Sequence, residues 1–107
     1  MMAQFDVHRN GGLHADSIPY VVVVQSALFD DYSRRVVVPL VKASAVGASL
    51  NPRFNPTFKI GRVAVVLHPL ELVSVAVDKL GKPVASLASE GNRIVGALDE
   101  LLSRAWG

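Results

Sequence analysis

The chain has 107 residues, half of them hydrophobic and 19% charged, which suits one folded domain over residues 1–107 and excludes a disordered chain. It has no cysteine; structural disulfides, thiolate metal sites and cysteine nucleophiles are excluded, and a reducing cytoplasm is the expected compartment. Eleven Lys/Arg against nine Asp/Glu give a net charge of +2, too mild to argue for nucleic acid by itself.

In chain order, the opening MMAQFDVHRN has no basic segment followed by an apolar run, so no signal peptide is expected. AQFDVH alternates roughly and predicts a first strand, and NGGLHADS after it is turn material. PYVVVVQ is a β-branched run with proline at its start, where a missing N–H is tolerated. Its apolar stretch is far shorter than the roughly 20 residues a bilayer span needs, so no membrane association is expected. SALFDDYS breaks the pattern and RRVVVPL predicts a third strand, with Pro39 suggesting a sheet edge or a strand end. VKASAVGASLNPRFNP carries two Asn-Pro pairs and reads as a loop. TFKIG and RVAVVLH predict short strands joined around Gly61, LVSVAVD another strand, and KLGKP a turn.

From Ser86 or Ser89 to Ala105 the period becomes helical. With Ile94 at zero and steps of about 100° per residue, Leu87, Gly91, Val95, Leu98, Leu101, Leu102 and Ala105 join it on one arc. Ser89 is the expected N-cap, with Glu90 in the first turn. Trp106, the only tryptophan, falls at about 120°, on the margin of the arc. It either folds back onto the core or stands out for a partner. The expected fold is mainly β with a C-terminal helix (α+β): a curled antiparallel sheet or small barrel followed by one long helix.

Little in the residues points to catalysis. His8, His14 and His68 are scattered, without ligand spacing or an acidic cluster, and are expected to be ordinary loop or surface histidines. Neither GASLNPRF nor LGKP sits in a strand–glycine loop–helix unit, and no serine lies in a G-x-S-x-G elbow. No metal, cofactor or catalytic residue is expected. Arg34 and Arg35 read as a solvated hairpin end partnered by Asp30 and Asp31, or else as an anion contact.

QFDVH, PYVVVVQSALFDDYSRRVVVPL, KIG, LELVSVAV and RIVGALDELL, in this order over residues 3–102, resemble the CcdB family of toxins from toxin–antitoxin pairs. The resemblance implies a small SH3-like barrel with a C-terminal helix, a homodimer, and no enzymatic activity. It implies binding to the A subunit of DNA gyrase, trapping of the gyrase–DNA cleavage complex, and neutralisation by an antitoxin whose disordered C-terminal segment folds on the toxin. Toxin and antitoxin together repress their operon; the toxin by itself is not expected to bind a DNA sequence directly. Gln4, Phe5, Gln25, Ser26, Asp30, Arg34, Arg35 and Pro39 match the family pattern. Of these, Gln4, Phe5, Ser26 and Asp30 are the expected antitoxin contacts. The first loop, near residues 10–17, and the middle loop, near 44–56, correspond to regions the antitoxin touches.

In the family the helix ends in Trp-Gly-Ile, whose tryptophan stacks on a gyrase arginine. Without gaps, that slot falls on Ser103, Arg104 and Ala105; Trp106 and Gly107 follow, and the final isoleucine is missing. The expected gyrase contacts are therefore Ser103, Arg104, Trp106 and Gly107. Relatives on the same barrel are endoribonucleases, which makes RNA cleavage through Arg34 or Arg35 the alternative; a toxin homologue with lost or changed gyrase targeting is another.

Overall fold

A computed structural model describes residues 3–12, 14–26, 28, 31–47 and 51–104, with Ser103 and Arg104 described by backbone alone. Seven strands form one antiparallel sheet: β1 (Asp6–Arg9), β2 (Tyr20–Val23), β3 (Arg34–Lys42), β4 (Thr57–Ile60), β5 (Val63–Leu67), β6 (Val73–Ala76) and β7 (Ala85–Ser86). They lie in the order β4-β5-β3-β2-β1-β7, with β6 added on β3. One helix, α1 (Gly91–Asp99), follows and runs on as a π-helical turn over Glu100–Arg104. The barrel-plus-helix expectation thus holds.

Strand β3 organises the sheet. One of its sides pairs with β2, Val23↔Val37 through Tyr20↔Leu40. The other carries β6 along Arg34–Val37 and then β5 along Leu40–Lys42. Pro39 sits at the changeover, not at a sheet edge or strand end as its ring suggested. Its carbonyl accepts from the His68 N–H at 3.1 Å, so its missing N–H faces the same side, at the gap between β6 and β5.

The Val21–Val24 run is explained by burial on both faces. Val22, with Val7, Val38 and Leu40, faces the main core, where Ile94 and Ala97 of α1 are fully buried. Val21 and Val23, with Val37, face a smaller cluster closed by Leu80. His8 follows the same alternation. It points to the second face and is fully buried, which corrects its reading as a loop or surface histidine. Its Nδ1 lies 3.1 Å from the Leu80 carbonyl, so Nδ1 carries the proton and ties β1 to the 3₁₀ turn Val77–Lys79.

The α-helix begins one residue later than the Ser89 cap predicts. Ala88–Glu90 form a 3₁₀ turn, Glu90 is the N-cap residue, and no side chain caps the helix. The Ser89 cap is therefore corrected: Ser86 Oγ instead accepts the Ala88 N–H at 3.2 Å, a local bond that holds the chain in a turn there. The buried stripe is also narrower than the apolar one. Gly91, Ile94 and Ala97 face the sheet, while Val95 and Leu102 stay outside it. Gly96 has nothing within 4 Å of where a β-carbon would stand. Gly96→Ala should therefore stabilise the protein by about 0.5–1 kcal/mol, read as a higher urea midpoint at unchanged slope.

Candidate partner-binding surfaces

The outer flank of α1 is the first candidate. Val95 is 44% and Leu102 72% exposed, two large apolar groups on the uncovered margin of a helix. Exposed hydrophobics are ordinary singly, and it is contiguous apolar patches that mark contact surfaces. Ser103 and Arg104 follow in the π turn, a wider turn that often accompanies functional helix ends. Trp106 and Gly107 lie outside the described residues. A second apolar strip runs from the 3₁₀ turn Pro69–Glu71 into the start of β6, with Leu70 (65%), Leu72 (41%) and Val73 (49%) exposed.

The expected antitoxin residues cluster at one end of β1 and β2. Gln4 Nε2 donates to the Val24 carbonyl at 3.1 Å, and the Phe5 N–H donates to Val23 at 2.6 Å. Phe5 has φ of 72°, a left-handed conformation rare for a bulky residue. That twist turns its ring against Gly91 at the start of α1, while its carbonyl accepts from Leu87 N–H at 2.9 Å. Ser26 Oγ accepts the Leu28 N–H at 3.3 Å just past β2. Asp30 lies outside the described residues. Phe5 therefore braces the helix start while Gln4 ties to the end of β2, and both remain half-buried at the surface.

The arginine pair divides. Arg34 is exposed and straps β3 to β6, its Nε 2.7 Å from Ser74 Oγ and its Nη2 2.7 Å from the Ser74 carbonyl. Arg35 is only 3% exposed, and its Nη1 donates to the carbonyls of Tyr32 and Arg34, both at 3.1 Å. The solvated-pair reading is thus corrected for Arg35, which alternation along β3 turns inward. Arg35→Ala should cost about 1.5–3 kcal/mol of stability, because two carbonyls lose a charged donor. Arg35→Lys should recover little, since an ammonium lacks the planar fork. Thermal melts of the three proteins check both statements.

Two clefts flank these surfaces. One, of about 270 Å³, lies between Pro52–Pro56 and α1, with Arg53, Arg93 and Gly96 on its walls. Its cations are answered by acids: Arg53 is 3.5 Å from Glu100, and Arg93 pairs with Glu90 while stacking 4.5 Å over the Phe58 ring. The other, of about 300 Å³, lies between the Arg9–Gly12 segment and Lys79–Leu80. Sequence reasoning missed it, because residues 9–12 and 79–80 meet only through the fold. Its one local signal was the pairing of flexible turns, NGG and KLGK, each carrying cations beside it.

Among the described residues, no group of three His, Asp or Glu is placed to hold a metal ion, and no helix is long and apolar enough to cross a membrane. Three surface features stand out: an apolar helix flank, an apolar turn leading into β6, and a braced corner at the strand ends. A family model described as CcdB protein matches residues 4–103, which include every strand and all of α1. With nearly the whole chain matched and the barrel-plus-helix fold in place, the chain belongs to the CcdB family, the toxins of toxin–antitoxin pairs.

Proposed function

We propose that this protein is a toxin that binds the A subunit of DNA gyrase with the end of its helix and traps gyrase on cleaved DNA. It acts by contact, without catalysis of its own, in the cytoplasm. A cognate antitoxin with a disordered C-terminal segment removes it from gyrase, touching Gln4, Phe5, Ser26 and Asp30. Together they repress their operon. The family match over residues 4–103 carries this reading. The exposed Val95 and Leu102 support it, because they leave the helix flank open to a partner. In the helical phase of the sequence, Trp106 belongs to this same flank. Leu70, Leu72 and Val73 support a homodimer, since a second copy would take that apolar strip out of water.

The match ends at Ser103, so Trp106 and Gly107 lie beyond it. The gyrase contact is therefore proposed for Ser103 and Arg104 together with Trp106 and Gly107. Purified protein, gyrase, ATP and supercoiled plasmid test the reading: linear DNA with protein bound to its ends should accumulate. No cleavage product at micromolar toxin would overturn it. In cells, growth arrest on expression should be relieved by co-expression of the antitoxin.

A further inference from the structure

The asparagines of this chain are Asn10, Asn51, Asn55 and Asn92, and only Asn10 precedes a glycine. A backbone nitrogen that has lost its proton can attack the side-chain amide of the asparagine before it and close a succinimide ring. Asn51 and Asn55 precede Pro52 and Pro56, whose nitrogens carry no proton to lose. Asn92 lies in α1, where the helix fixes its backbone and the Arg93 side chain crowds the next nitrogen. Gly11 has no side chain in the way. It is exposed, and its N–H makes no hydrogen bond among the described residues. The nucleophile is therefore open to water, which can take its proton.

The electrophile is held closed. Asn10 is half-buried. Its Nδ2 donates to the Ile18 carbonyl at 2.8 Å, and its Oδ1 accepts the Gly12 N–H at 2.9 Å. The Asn10 N–H donates to Pro19 at 2.9 Å, which carries the β1–β2 ladder one step past Arg9↔Tyr20. Both ends of the amide are thus tied, and the nitrogen that would leave is the one on the Ile18 carbonyl. Turning Cγ onto the Gly11 nitrogen means giving up these bonds, each worth roughly two- to tenfold in an equilibrium.

We propose that Asn10–Gly11 is a self-modification site gated by the fold, closed while Asn10 holds Ile18 and open once the chain unfolds. In the open state the Gly11 nitrogen gives its proton to water and bonds Asn10 Cγ. The Cγ–Nδ2 bond breaks, and ammonia leaves with a proton taken from solvent. Water then opens the succinimide. Breaking the bond from the Gly11 nitrogen to Cγ gives aspartate; breaking the bond from that nitrogen to the Asn10 main-chain carbonyl gives isoaspartate. One water is consumed and one ammonia released. Neither product restores the native contact, because a carboxylate has no donor for the Ile18 carbonyl. Isoaspartate also lengthens the backbone by a methylene directly after β1, out of step with the bond to Pro19. A molecule that stays unfolded long enough to convert returns to a weaker fold, so the site records unfolding in one direction. The reaction needs no partner and is independent of gyrase.

The test is a time course of the full-length protein at mildly alkaline pH, native and in urea, read by mass spectrometry of the peptide that contains Asn10. Conversion is expected to be about ten- to a hundredfold slower in the native protein than in urea, with Asn51 and Asn55 unchanged in both. Gly11→Ala should slow conversion in urea, because a methyl crowds the nitrogen. A β-carbon at Gly11 would stand 4.0 Å from the Lys79 carbonyl, an ordinary contact, so that variant keeps its fold. Asn10→Asp should lower the urea midpoint at unchanged slope. Protein aged in urea and then refolded gives the same reading without a variant, its converted fraction melting at lower urea than fresh protein. Equal rates in native and unfolded protein would overturn the gate, and no conversion of Asn10 in urea would overturn the site. A converted fraction as stable as fresh protein would overturn the one-way record.

Discussion

Trp106→Ala is expected to raise the toxin concentration for half-maximal gyrase cleavage by about thirtyfold, the effect of losing an aromatic anchor worth some 2 kcal/mol. Among the residues proposed for the gyrase contact, Trp106 has by far the largest apolar side chain. A tryptophan face against a gyrase guanidinium combines area burial with cation–π attraction. Truncation of Leu102, exposed on the helix flank, should cost less, because a leucine has no such directional partner. The two registers of the helix end are separable. If the contact slot lies at Ser103, Trp106→Ala should leave cleavage unchanged and Ser103→Trp should strengthen it. If it lies at Trp106, Ser103→Trp should not rescue Trp106→Ala. Melting curves of each variant distinguish a lost contact from a lost fold.

Gly91→Ala should destabilise the protein by about 1–3 kcal/mol, the usual cost of overpacking a close contact. A β-carbon on Gly91 would overlap the Phe5 ring, with Cδ2 2.9 Å away and Cε2 nearer still. The ring has little room to retreat. Phe5 is fixed by its left-handed backbone and by bonds from its N–H to Val23 and to its carbonyl from Leu87. For a domain of this size that loss lowers the melting temperature by roughly 4–8 °C per kcal/mol. Phe5→Leu in the Gly91→Ala background should recover part of the loss, a positive coupling that a double-mutant cycle measures. The same substitution five residues along, Gly96→Ala, has the opposite sign. The helix gains there without meeting a neighbour, so the pair isolates packing from helix propensity.

Much of the fold was legible because its signals are local. The Val21–Val24 run, the alternation of LVSVAVD and the switch to helical spacing near residue 90 each report burial within a few residues of chain. Strand β7 was missed because two residues, Ala85 and Ser86, have no pattern of their own; pairing with Asp6 and Val7 makes them a strand. Pro39 misled for a related reason: its ring forbids a central position only where its N–H must join the ladder, and at the β6-to-β5 changeover Pro39 bonds on that side through its carbonyl, to the His68 N–H. Of the candidate contact residues, the match to a family pattern was readable in the order of segments. The bracing role of Phe5 and Gly91 was not, for it depends on a meeting between residues 86 positions apart.

The sequence by itself determined the strand-then-helix order, the absence of cysteine and of any disulfide, and the family, because these depend on residue type and short-range spacing. Only the tertiary structure decided which side of each amphipathic element is covered. Val95 and Leu102 share the apolar stripe with Ile94, yet the sheet is narrow enough to bury Ile94 alone of the three. Arg35 and His8 are polar by type, yet strand alternation and long-range pairing turn them inward. Burial is a property of what arrives opposite a side chain, and for this protein those arrivals come from distant parts of the chain.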